Sequence, residues 1–178
     1  MATNDRVLLA RARRAYELGR LRSALRMAPF PLAAALVALT AGRPPALTAA
    51  LTCVLLALAV GFLYRGGIAG RAVGPGLLAG TAALAMPLLM ATFGHACFGP
   101  ACLKLGLPAC VAGGALAGFV IARAAAREQP HLRFVAAAAA IAASTGSLGC
   151  TIAGAAGVLG MLAGTVCAGV PVLIAARR

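Results

Sequence analysis

Residues 46–64, ALTAALTCVLLALAVGFLY, carry no charge and stand between Arg43 and Arg65. A mostly apolar run of this length matches the roughly 20 residues that an α-helix needs to cross a hydrocarbon core ~30 Å thick. Similar runs lie on either side: Met27–Gly42 before it, then Val73–Phe93, Leu105–Ala122, Phe134–Leu148 and Ala153–Ala175 after it. The reading is an all-α integral membrane protein, a bundle of six transmembrane helices over residues 27–178, preceded by a short basic cytoplasmic helix over residues 1–26.

The cations give this bundle a direction. Of the 16 Lys and Arg residues, seven are in the head (Arg6, Arg11, Arg13, Arg14, Arg20, Arg22 and Arg26). Arg65 and Arg71 follow the second run, Arg123, Arg127 and Arg133 follow the fourth, and Arg177 and Arg178 end the chain. The first and third connections hold only Arg43 and Lys104, and the fifth holds none. Lys and Arg are retained on the cytoplasmic side, so both termini are expected inside and the first, third and fifth connections outside.

Composition leads to the same class. Hydrophobic residues make up 62% of the chain and charged ones 11%, more apolar surface than a 178-residue soluble core hides. A net charge of +13 would suggest nucleic acid in a soluble protein, but here the cations flank apolar runs, where they fix orientation and meet anionic lipid. The lipid bilayer is thus the expected partner, with no nucleic acid. The first run follows an Arg-rich head, and Arg43-Pro44-Pro45 stands where a cleavable leader would have small residues. It reads as an uncleaved signal anchor.

Within the head, Asn4 or Asp5 is placed to cap a helix on which Leu8, Leu9, Ala12, Ala15, Tyr16, Gly19 and Ser23 form a charge-free arc. Leu8, Leu9 and Tyr16 are the candidate contacts for a soluble partner, against the plainer reading of an interfacial anchor. Pro29 and Pro31 open the first span, where unpaired backbone donors are expected anyway. Glycines recur at helical spacing: Gly74, Gly76 and Gly80, then Gly114 and Gly118, then Gly154, Gly157, Gly160 and Gly164. Such faces let helices approach closely where association depends on packing.

The spans are poor in chemistry. The carboxylates Asp5, Glu17 and Glu128 all fall in cytoplasmic segments, so no acid is available inside the membrane for proton coupling or general-base work. Ser144, Thr145 and Ser147 lie near the outer end of the fifth span and His131 in an inner loop, so a nucleophile and its base would face opposite sides. The chain is not expected to be an enzyme.

What remains is sulfur. His95, Cys97 and Cys102 fall in the third connection and Cys150 in the fifth, all expected outside. Cys97 and Cys102, with Gly99-Pro100 between them, have the spacing of a small disulfide loop in an oxidising compartment. The alternatives are a soft-metal or redox-sensing set of His95, Cys97, Cys102 and Cys150, and thiols acting only as small apolar side chains. Cys53 and Cys167, deeper in their spans, take the last reading; beyond a soft metal ion, no cofactor is expected.

A short head, six spans and late outward cysteines resemble the NrsF-like six-span membrane anti-sigma regulator family. The stretches that carry the likeness are Cys102 to Ala125, His131-Leu132-Arg133, Leu148-Gly149-Cys150, and Gly160-Met161-Leu162-Ala163-Gly164 before Pro171. At Thr165-Val166-Cys167 the chain departs from the histidine of that pattern. The resemblance implies a bacterial inner (plasma) membrane protein whose cytoplasmic head holds a sigma factor.

The function expected from these readings is regulatory: outward thiols register oxidation or a metal, and the bundle changes how the head engages its partner. The alternative is a small transporter or channel for an uncharged solute or a soft metal ion, in which case a homo-oligomer would be needed to supply internal volume.

Overall fold

The computed structural model describes residues 2–40, 44–93, 100–128, 132–151 and 154–175. These residues form seven α-helices and no strand: α1 (Ala2–Leu25), α2 (Pro29–Thr40), α3 (Pro45–Arg65), α4 (Gly67–Phe93), α5 (Pro100–Arg127), α6 (Leu132–Cys150) and α7 (Gly154–Ala175). Five of them, α3 to α7, are long and apolar enough to cross a membrane. The chain is thus built as a multi-pass membrane protein. The first expected span supplies the 12-residue helix α2, which at 1.5 Å per residue is ~18 Å long.

Prolines set several helix starts. Pro29, Pro45 and Pro100 each open a helix, where a missing N–H removes nothing the first turn would use. Two connections differ from the sequence reading. The connection between the second and third runs, expected to be a loop holding Arg65 and Arg71, shrinks to a break at Gly66, because Gly66 and Gly67 both adopt positive φ, +67° and +63°, and the chain re-enters a helix at once. The Gly66 N–H still donates to the Phe62 carbonyl, 2.9 Å away. Likewise Cys102 and Lys104, expected in a loop, belong to α5, which starts at Pro100.

The helices pair by glycine. α4 and α6 run parallel, with Gly76 against Ala138, Gly80 against Thr145 and Gly149 against Leu84. α5 and α7 also run parallel, with Gly114 against Met161, Gly118 against Thr165 and Gly164 against Val111. α4 and α5 meet antiparallel at Ala83 and Gly113. A Cβ on Gly114, Gly118 or Gly164 would collide with a facing backbone carbonyl, so these pairs are held at backbone contact distance.

The core is divided by α4 and α6. On one side Ala79, Ala83, Cys110, Ala117, Ile121, Phe134 and Met161 pack with α5 and α7. On the other, Ala34 and Ala38 of α2 join Leu55, Ala59, Val73, Leu77 and Ile141. Alanine and glycine thus do the packing that larger side chains do in water-soluble cores, and the large apolar side chains Leu36, Leu78, Leu159, Val166 and Ile174 point outward.

Candidate functional site

An arginine of the head reaches the bundle. Tyr16 and Arg20 are four residues apart on α1, so they share a face, and the Arg20 guanidinium carbon lies 5.6 Å from the Tyr16 ring centroid. It lies equally 5.6 Å from the ring of Tyr64, near the end of α3. Arg20 is therefore held between an aromatic ring of the head and one of the bundle. Gly66 makes room for it: a Cβ there would come within 2.6 Å of Arg20 Nη2. Ala24, one turn on, is fully buried.

N-terminal to this joint the head is open. Residues 11–19 are all exposed, and Arg13 Nε donates to Glu17 Oε1 at 3.3 Å along the helix. Tyr16 keeps 66% of its surface exposed. Leu8 and Leu9 lie on α1 with their side chains outside the described set. Sequence reasoning named Tyr16 and missed Arg20 and Tyr64. The i, i+4 spacing of Tyr16 and Arg20 was a local signal for half of the joint; nothing local connects either residue to Tyr64.

The sulfur end is only partly described. His95 and Cys97, and the side chain of Cys102, lie outside the described residues. Cys150 was expected in an outward turn. It is instead the last residue of α6 and fully buried, with its Sγ 3.9 Å from the Ala83 carbonyl oxygen of α4. The reason is the parallel α4–α6 pairing, which carries Gly149 onto Leu84 and turns the next side chain inward. Cys110 is buried as well, whereas Cys53 and Cys167 are on the outer surface of the bundle. Among the described residues no three His, Cys, Asp or Glu side chains form a metal-binding group.

The hydroxyls of α6 are used within their own helix. Ser144 donates to the Ala140 carbonyl at 2.5 Å, Thr145 to Ile141 at 2.9 Å and Ser147 to Ala143 at 2.8 Å. This back-bonding satisfies them in apolar surroundings. Between α5, α6 and α7 lies a cavity of about 110 Å³ lined by Ala117, Ala139, Ala142, Ala143, Met161, Leu162, Thr165 and Val166. Its one hydroxyl, on Thr165, donates to the Met161 carbonyl at 2.8 Å.

Compared with known proteins, the chain matches no family, no curated protein and no solved structure.

Proposed function

We propose that this is a membrane-embedded regulator whose basic head holds a soluble cytoplasmic protein and whose bundle, through outward thiols, adjusts that hold. The observation that carries the reading is the Arg20 joint: a single cation contacts Tyr16 of the exposed head and Tyr64 of α3. A change in bundle packing at the end of α3 therefore has a direct mechanical route to the head. A switch of this kind needs two packings separated by a few kcal/mol, an amount a disulfide or a metal bond can supply.

The same joint supports a six-span topology with both termini in the cytoplasm of a bacterial inner membrane. Arg20 meets the C-terminal end of α3, and the alternating α3 to α7 bring the end of α7 to that same end of the bundle. Residues 25–44 then have to return along α3, whose 21 residues extend ~31 Å. α2 contributes ~18 Å of this. The cation distribution favours the same orientation, with Arg20, Arg65, Arg71, Arg123 and Arg127 all inside.

A sigma factor is the partner class that the resemblance to the NrsF-like regulators suggests. The buried position of Cys150 adds one condition to sensing: its thiol becomes available only when the α4–α6 seam opens. In this reading His95, Cys97 and Cys102 meet the signal first.

Co-purification tests the head. The full-length protein should retain a soluble partner at high salt, and Leu8→Ala, Leu9→Ala and Tyr16→Ala together should release it. Retention that disappears with salt alone and ignores those changes would make the head a plain cationic anchor.

A further inference from the structure

At the cation-rich end of the bundle, α4 and α5 part to leave a cleft of about 370 Å³, lined by Gly74, Pro75, Leu78, Phe119, Val120, Arg123, Ala124 and Arg127. Its size is that of a small-molecule site. Its chemistry is graded with depth. Arg123 and Arg127 stand one turn apart on α5 at the mouth, and Leu78 and Phe119 line the wall roughly 6–12 Å further along the helix axes. Arg123 lies over Phe119, with its guanidinium carbon 5.9 Å from the ring centroid.

Among the described residues, the carboxylates Glu17 and Glu128 are paired elsewhere. Glu128, the carboxylate nearest in sequence, pairs with Arg71, whose Nη1 is 3.0 Å from its Oε2. Glu17 pairs with Arg13 in the head. Among the described residues no carboxylate pairs with Arg123 or Arg127. Two adjacent guanidiniums above an apolar groove facing the bilayer fit one class of ligand, a phosphate that continues into hydrocarbon.

We infer that the α4–α5 cleft is a seat for one anionic phospholipid, its phosphate held by Arg123 and Arg127 and the upper part of an acyl chain lying along Leu78 and Phe119. This rests on the membrane reading alone and is independent of the regulatory one. A lipid so placed would bridge α4 and α5 at the end where Arg71 and Glu128 already join them.

Native mass spectrometry of the full-length protein in detergent, with phosphatidylglycerol or phosphatidylcholine added, tests the site. The wild type should retain one phosphatidylglycerol in preference to phosphatidylcholine. Arg123→Gln with Arg127→Gln should weaken that retention on the order of tenfold, about 0.7 kcal/mol per cation. Arg177→Gln with Arg178→Gln, the same change in net charge, should leave it within about twofold. Leu78→Trp keeps both cations and fills the groove at a residue already 63% exposed; it too should reduce retention, and it decides the matter if the arginine variant does not fold. Equal retention of the two lipids, equal loss in the tail variant, full retention in Leu78→Trp, or displacement of the lipid by inorganic phosphate alone would each overturn the assignment.

Discussion

Arg20 of α1 sits 5.6 Å from the ring of Tyr64 in α3, a contact that joins the head to the bundle. A cation over an aromatic face contributes about 1 kcal/mol at a partly exposed site. Tyr64→Leu keeps an apolar side chain and removes the ring. Amide hydrogen exchange in the last turns of α1 should then quicken roughly fivefold, as expected when local opening becomes easier by about that energy. Unchanged exchange would mean that the head is held by something else.

The glycine seams predict a graded response to the same substitution. Gly118→Ala would drive a methyl group into the Thr165 carbonyl of α7, and overpacking of this kind costs about 1–3 kcal/mol. Gly61 has nothing within 4 Å of a built Cβ, so Gly61→Ala should be neutral or stabilising by up to ~1 kcal/mol. Unfolding of the detergent-solubilised protein by sodium dodecyl sulfate should show the first destabilised and the second not. Equal effects would mean that α5 and α7 do not meet at backbone distance.

Topology has its own test. A reporter active only in the cytoplasm, fused after Arg178, and one active only in the periplasm, fused after Gly99, should both give signal. A third, cytoplasm-active reporter fused ahead of the head asks whether α2 and its flanks complete a crossing. Silence there, with the other two active, would leave five spans and put the head on the other side from the tail.

Cysteine accessibility follows from burial. In the reduced native protein Cys150, fully buried against Ala83, should react with a thiol reagent that cannot cross membranes far more slowly than Cys97 and Cys102, and should gain reactivity on unfolding. Cys97 and Cys102 should label after reduction and much less before it, if they form the proposed loop. Rapid labelling of Cys150 in the native protein would contradict its packing at the α4–α6 seam.

The elements of this fold are legible in the sequence to different degrees, for physical reasons. Uncharged runs such as 46–64 announce helices because the bilayer fixes their length and excludes charge. Gly114 and Gly118, or Gly160 and Gly164, announce a close-packing face because their spacing repeats the helical turn. The partner of each face is not written locally: that α5 meets α7 and α4 meets α6, both in parallel, depends on three-dimensional packing. The burial of Cys150 has no local signal for the same reason, since it depends on Leu84, far away in sequence. The loss of the expected loop holding Arg65 and Arg71 could have been read from Gly66-Gly67, a pair suited to one sharp turn. The distance between Arg20 and Tyr64 had no sequence signal beyond the Tyr16–Arg20 spacing.

The central claim, that the state of the outward thiols changes how the head holds its partner, is tested most directly by crosslinking in intact membranes. With a photoreactive side chain in place of Ala12, exposed on the same charge-free arc but outside the Arg20 joint, the yield of the crosslinked soluble partner is measured with the membranes reduced and then oxidised. The account predicts a severalfold change in yield between the two states that vanishes in Cys97→Ser with Cys102→Ser. A crosslinked partner whose yield is the same in both states would contradict it.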